Sequence, residues 1–321
     1  MKKAIGIATS DWHLWHTPPV WRSNEENWLK AMERQLQEVF RAAIVNDCPI
    51  FMGGDIFDRY NPVPETINFL LDFIPENLKI FAVPGQHDLE HHILSLDSLQ
   101  KTGFEILRER AIICPIFNYY ENKMNYRYNI GDKVTVYFAP WGTNLQEIEV
   151  DEKKEGFIQI LIAHKYVWFD DSTRYGGSEI PPGKLSGLKE TLQKFYFAIF
   201  GDNHIPFTCK VGKCKVINPG TLCKRKLDER DYKTGYAILY NDKTFVFINF
   251  DTSEDKYLDI KIEDTPTIDF NSSEFLQQLQ SMEANQIDFQ TEVEKKLKSM
   301  NRKDMEEEFE NIFNSYQESK K

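Results

Sequence analysis

The sequence has no run of eighteen apolar residues, so neither a membrane-spanning helix nor a membrane partner is expected. Cysteine is scarce. Cys48, Cys114, Cys209, Cys214 and Cys223 are odd in number and include no C-x-x-C pair. That argues against a disulfide framework and a structural zinc site, and points to a reducing, cytoplasmic compartment. Positive charge is not in excess either: 39 Lys+Arg stand against 50 Asp+Glu, for a net charge of −11. The deficit is uneven. Residues 251–321 hold 9 basic and 18 acidic side chains, which leaves 30 and 32 in residues 1–250. A near-neutral body argues against a basic DNA-coating protein. A nuclease is not excluded, because bound divalent cations change the local charge of an acidic site. The apolar stretch ending at Thr9 is too short for a signal peptide. Asp11, His13 and Trp15 follow at once with no small-residue cleavage site, so a first β-strand is expected there.

What is present fits a folded globular protein: 41% hydrophobic and 13% aromatic residues over 321 positions. That length supports one large core, or one core with a small appendage. Short apolar runs alternate with helical patterns over the first two-thirds. Residues 4–8, 49–52 and 79–83 read as strands, and residues 27–44, 65–73 and 94–102 as helices, the last ended by Gly103. This alternation predicts an α/β layered domain. Strands are then expected at 135–139, 157–163, 195–200, 216–218, 236–240 and 244–249, forming a second sheet packed on the first. Beyond Asp251 one more strand is expected at 256–263, and helices at 274–282, 288–300 and 304–316. No internal repeat or low-complexity linker is seen.

Five short polar clusters follow predicted strands: Asp11-Trp12-His13, Gly54-Asp55-Ile56-Phe57-Asp58, Gly85-Gln86-His87-Asp88, His164, and Gly201-Asp202-Asn203-His204. In open α/β sheets, ligands bind at the carboxyl ends of strands, so clusters distant in sequence converge there. Carboxylates and imidazoles suit Mn²⁺, Fe²⁺, Zn²⁺ and related ions. An Asp-x-His pair on a strand end would place both side chains on one face. A carboxylate such as Asp55 can bridge two cations, and two such ions clamp the attacking and leaving oxygens of a phosphoryl transfer. Taken singly, each cluster also reads as an ordinary turn, and His164 as a core histidine. The ordered set of five favours the site.

Residues 4–250 resemble the metallophosphoesterase superfamily, whose pattern runs D-x-H, G-D-x-x-D, G-N-H-[DE], H and G-H-x-H. The resemblance implies a four-layer α-β-β-α sandwich holding two divalent metal ions, Mn²⁺ first and Mg²⁺ second. By resemblance, Asp11, His13, Asp55 and His204 hold one ion, and Asp55, Gln86, His164 and Asp202 the other. His87 protonates the leaving oxygen or orients the phosphate, and Asp88 holds the His87 ring. Two positions depart from the pattern. Gln86 replaces an Asn, setting the amide one methylene further out. Asp202 replaces a His, giving a harder, charged donor.

Within that superfamily the chain looks like the nuclease subunit of SbcCD-type recombination complexes, including shorter bacteriophage versions. The features are Asp11-Trp12-His13-Leu14, Gly53-Gly54-Asp55-Ile56-Phe57-Asp58-Arg59, Pro62-Val63-Pro64 and Asn218-Pro219-Gly220-Thr221. The resemblance implies a DNA exo/endonuclease acting as a homodimer with an SMC-like coiled-coil ATPase, with helices 27–44 and 65–73 as dimer contacts. Domains are expected at 1–250 (nuclease), 251–271 (reduced cap or linker) and 272–321 (helical tail). The apolar stripe of that tail fits either a partner's groove or the protein's own surface. Lys224, Arg225 and Lys226 fit either a DNA phosphate contact or a solvated loop. His16, His91 and His92 receive no assigned role. Two other functions remain open: a phosphatase or phosphodiesterase for nucleotides or phosphoproteins, and a weakly active scaffold for the ATPase.

Overall fold

A computed structural model of the chain describes residues 2–258, apart from 111, 114–116, 119–122, 125, 151–155 and 175–182. The helices expected at 274–282, 288–300 and 304–316 lie outside the described residues. So do the tail domain and most of the reduced cap.

Two sheets form the body. In the first, β1 (Ala4–Thr9), β2 (Ile50–Met52) and β3 (Ile80–Ala82) run parallel. β1 also pairs antiparallel with β12 (Gly235–Tyr240), which pairs with β13 (Phe245–Asn249). A small ribbon, β4 (Phe117–Asn118) with β5 (Lys123–Met124), stands apart. In the second sheet, β7 (Val134–Ala139), β8 (Ile158–His164), β9 (Phe197–Gly201) and β11 (Cys214–Asn218) run parallel. Antiparallel edge strands β6 (Arg127–Ile130) and β10 (Phe207–Val211) close it. Because both faces of each central strand are covered, the runs are almost wholly apolar.

Between the sheets lies one core, with Ala8, Phe51, Phe81 and Leu239 facing Val136, Phe138, Ile160, Ile199 and Ile217. A second core forms on the outer face of the first sheet, under α1 (Trp28–Val45), α2 (Pro64–Phe73) and α4 (Gly103–Glu109). Asn27 caps α1 by accepting the Lys30 N–H at 3.0 Å. The third core covers the outer face of the second sheet. Among the described residues its helical layer is thin, with a 3₁₀ turn at Leu185–Leu188 and α5 (Lys189–Leu192). The layers are thus helix, sheet, sheet, helix, as the sandwich expectation requires. Among the described residues no helix is long and apolar enough to cross a membrane. Cys48, Cys209 and Cys223 are free thiols.

Four local expectations change. β12 and β13 belong to the first sheet, because β12 pairs with β1. Gly103 opens a helix instead of ending one. The helix before it, α3, spans only Leu96–Leu99, and Thr102 caps α4 by accepting the Glu105 N–H. Gly103 is required there because a Cβ would meet Pro62 Cγ at 2.4 Å. β6 and β10, which were not expected, are short edge strands that alternate polar and apolar residues over only four and five positions. The strand expected from Lys256 is not formed over 256–258. That stretch bonds to the 21–25 loop instead, through Leu258 N to Trp21 O and Lys256 N to Glu25 Oε1. The rest of that expected strand lies outside the described residues.

Candidate metal centre

The carboxyl ends of β1, β2, β3, β8 and β9, with the turns that follow them, meet at one edge of the sandwich and carry the five polar clusters. Asp11, His13 and Asp55 do not sit on strands. All three, and Asp202, adopt left-handed backbone with φ of 49°, 45°, 53° and 84°. The i, i+2 rule for strands therefore does not explain the Asp11–His13 pair. Tight left-handed turns, in which aspartate is over-represented, aim these side chains inward. The turns are braced against each other: Asp11 N bonds Gly54 O at 3.0 Å, and His13 N bonds Asp55 O at 2.9 Å. Trp12 is fully buried and packs edge-on against Phe40 of α1.

Asp11, His13, Asp55 and His164 form a buried floor, and Gln86, His87, Asp202 and His204 stand half-exposed at the mouth. On one side, His13 Nε2 lies 3.1 Å from His204 Nε2 and 3.9 Å from Asp11 Oδ1. On the other, His164 Nε2 lies 2.6 Å from Gln86 Oε1, and Gln86 Nε2 donates to Asp202 Oδ1 at 2.9 Å. Asp55 stands between them. Its Oδ1 accepts the His87 backbone N–H at 2.9 Å. Its Oδ2 is 3.4 Å from His164 Nε2 and 3.7 Å from His13 Nε2, is buried, and has no hydrogen-bond partner. A buried carboxylate oxygen left unpaired is costly. The surrounding nitrogens and oxygens fit divalent cations: Asp11, His13 and His204, and Asp11, Asp55 and His164, each bring their ligand atoms within 4.8 Å of one another. Two glycines make room. A Cβ at Gly85 would fall within van der Waals radius of Asp55 Oδ1, and one at Gly54 within that of His164 Nδ1.

The electrostatics agree with a centre that binds cations. Burial pushes Asp11 up to about 6, assisted by Asp55 and eased by His164 and His204. Burial also drives His13 down to about 3, keeping its ring neutral. At His164 burial opposes the proton, yet the carboxylates of Asp55, Asp11 and Asp202 raise it to about 10. Burial would raise Asp55, but His164, His13 and His87 outweigh it and hold the carboxyl below its usual range. The floor therefore carries a net demand for positive charge.

Asp88 departs from its expected role. Its carboxylate is fully buried and accepts the backbone N–H groups of Ile56 at 3.2 Å, Phe57 at 3.1 Å and Gly85 at 3.0 Å. It clamps two site loops together, while the His87 ring takes Asp58 O as its partner, with Nδ1 donating at 2.8 Å. Burial and the neighbouring Asp55 push Asp88 up to about 7. The basic cluster also reads differently. Lys224 is buried and donates to Arg230 O at 2.8 Å, and Arg225 pairs with Asp58 Oδ1 at 2.5 Å. The Asn218-Pro219-Gly220-Thr221 turn is a brace: Asn218 Nδ2 donates to Asn203 O and Ile205 O, and Thr221 Oγ1 to Asp11 O. His16 packs at a tilt against Trp15, and the Glu90–His92 turn holds His91 and His92 in left-handed backbone.

Sequence reasoning named Asp58 without a role and passed over Glu229. Asp58 Oδ1 is 3.5 Å from His13 Nδ1, and Glu229 Oε1 is 2.7 Å from His204 Nδ1. Asp58 was readable as the second Asp of G-D-x-x-D. Glu229 had no sequence signal, since only the fold brings it to His204.

Solved structures resemble the chain at low identity. A 5'-nucleotidase from Candida albicans is 14% identical, with 78% of this chain and 52% of that one covered and a TM-score of 0.43. This chain thus spans about half of that protein's length. An archaeal phosphodiesterase is 14% identical over 78% and 99% of the two chains, with a TM-score of 0.38. The phosphopantetheinyl hydrolase of Mycobacterium tuberculosis is 14% identical over 71% and 93%, with a TM-score of 0.42. These scores carry no argument about substrate. No curated protein matches the sequence significantly. The family match is of another order, since the family described as calcineurin-like phosphoesterase matches residues 7–206. The chain belongs to the calcineurin-like phosphoesterase family, whose members are metal-dependent hydrolases of phosphate esters.

Proposed function

We propose that the protein is a two-metal phosphodiesterase acting on DNA, and that it works as the nuclease subunit of a complex with an SMC-like coiled-coil ATPase. The observation that carries the two-ion part is the unpaired, buried Asp55 Oδ2 between two sets of donors. Asp11, His13, Asp55 and His204 would hold one ion, and Asp55, Gln86, His164 and Asp202 the other. When bound, the ions supply Lewis acidity to the phosphoryl group and to the attacking water. The oxygen-rich donor set, with Asp202 and Gln86 on one side, favours Mn²⁺ or Mg²⁺.

The chain's own residues do the rest. His87 keeps a proton at Nδ1 because Asp58 O can only accept. Its Nε2 is then the atom that exchanges a proton with the leaving oxygen. The edge-to-face packing of the His87 ring on His13, at 4.9 Å between centroids, sets it beside the floor. Around the mouth stand Trp15, with Arg59 over its ring at 4.9 Å, and Trp141, edge-on to His164 at 6.2 Å. Aromatic rings and a guanidinium beside a phosphate site suit stacking with nucleobases. The choice of DNA is further supported by the Gly53–Arg59 and Asn218–Thr221 motifs. The ATPase and homodimer assignments rest on the resemblance and on the sequence of residues 272–321.

The test is digestion of linear DNA by the purified chain with Mn²⁺, with and without a coiled-coil ATPase. Cleavage is expected, with kcat reduced about 10²- to 10⁴-fold in His87→Ala while Mn²⁺ stays bound. Turnover of small phosphate esters without any DNA cleavage, even beside the ATPase, would replace the nuclease by a nucleotide or phosphoprotein phosphatase. Absence of all metal-dependent hydrolysis would leave only the scaffold function.

A further inference from the structure

We infer that Glu229 is a positioning residue of the two-ion centre, acting through His204, whose ring it holds with Nε2 turned toward Asp11 and His13. The inference rests on the two-ion reading above. Glu229 closes a 3₁₀ turn at Leu227–Glu229 and is 1% exposed. A carboxylate so buried is expensive unless every oxygen is used. Both are. Oε1 meets His204 Nδ1 at 2.7 Å, and Oε2 accepts the backbone N–H groups of Arg225 at 2.6 Å and Lys226 at 3.1 Å.

The chemistry follows from what a carboxylate can do. It only accepts, so His204 Nδ1 carries the proton, and in the neutral ring Nε2 is left with a lone pair. That atom lies 3.1 Å from His13 Nε2 and 3.9 Å from Asp11 Oδ1, among the donors of one ion. A histidine ligand whose other nitrogen bonds a carboxylate is oriented, fixed in tautomer and made more basic.

Glu229 is itself held from two directions. Arg22 Nη1 donates to Lys224 O at 3.0 Å, and Lys224 Nζ to Arg230 O at 2.8 Å. On the other side Arg225 pairs with Asp58. The second centre is built differently: His164 Nδ1 bonds a backbone carbonyl, Gly53 O, at 2.6 Å. One histidine is thus steered by a removable side chain and the other by the main chain. A change at Glu229 should therefore affect one ion and spare the other.

Glu229→Gln makes the discriminating variant. It preserves size. If its amide oxygen takes the place of Oε2 and accepts from Arg225 and Lys226, its NH₂ faces His204 Nδ1 and forces the ring into the other tautomer, with a proton on Nε2. Mn²⁺ titration calorimetry on the full chain should show two ions in the unsubstituted protein. In Glu229→Gln one of the two should bind about 10- to 100-fold more weakly, while the other keeps its affinity. In a His204→Ala background the same substitution should change nothing further. In the Mg²⁺-loaded unsubstituted protein, the His204 Nδ1 proton should appear in long-range ¹H–¹⁵N spectra as hydrogen-bonded.

Two ions bound to Glu229→Gln with unchanged affinity would overturn this inference and leave the two-ion reading standing. So would an equal loss in the His204→Ala background, an equal weakening of both ions, or a His204 ring without an Nδ1 proton. Failure of the unsubstituted protein to bind Mn²⁺ would overturn both.

Discussion

Replacing Asp88 by alanine separates a structural clamp from a catalytic helper. The carboxylate satisfies three buried backbone donors, from Ile56, Phe57 and Gly85. Without it, each amide is left unpaired at a cost of about 1–3 kcal/mol. Water entering the vacated space recovers part of this. Relief of a carboxylate that burial has already pushed up to about 7 recovers more. The net loss should be about 3–5 kcal/mol. A domain of this size shifts by about 2–4 °C per kcal/mol, so the melting temperature should fall by about 6–20 °C. The effect should be read by circular dichroism on the metal-free full chain, with Mn²⁺ affinity measured alongside. Affinity should fall too, because the loops carrying Asp55 and Gln86 lose their common anchor. A melting temperature within 2 °C of the parent, with hydrolysis reduced by orders of magnitude, would refute the clamp. It would restore Asp88 as the partner of His87.

Three other outcomes follow from the geometry. Gly85→Ala places a methyl against Asp55 Oδ1 and should abolish Mn²⁺-dependent hydrolysis; calorimetry should show both ions weakened, since Asp55 serves both. Arg22→Met should destabilise the fold by about 3–5 kcal/mol in urea unfolding. It leaves Glu25 and Asp255 buried with their Arg22 contacts of 2.5 and 2.9 Å gone, and Arg34 as the cation that still pairs with both. The metal-free protein should also lose stability in acid through Glu229. Burial pushes that carboxyl up, but His204 and two backbone N–H groups outweigh it and bring it from 4.5 to about 2. A depressed carboxyl contributes fully above its unfolded pKa of about 4.5, and that contribution disappears as pH falls toward 2. It amounts to about 3 kcal/mol. Glu229→Gln should flatten this limb of a stability–pH profile; an unchanged limb would show that Glu229 is not its source.

Much of the molecule was legible in one dimension. Most strands and the long helices were readable because buried strands are continuously apolar and α1 repeats its apolar stripe at helical spacing. The metal-ligand types were readable because each cluster follows a strand. What could not be read were relations between segments far apart in the chain. β12 joined the first sheet because its register matches β1, and no local pattern records a pairing partner. The edge strands β6 and β10 alternate polar and apolar residues over too few positions to stand out, and residues 256–258 gave up strand pairing for acceptors in the 21–25 loop, Trp21 O and Glu25 Oε1. At the site, the sequence named the ligands of the proposed centre but misjudged their supports. Asp88 turned from His87 to the backbone, and Asp58 carbonyl took over the His87 ring. Glu229 reached His204 from 25 positions away. The residue types that can bind a metal are local chemistry and can be read from the sequence. The atom that orients each ligand depends on which buried donor or acceptor folding leaves unpaired, and only the tertiary structure decides that.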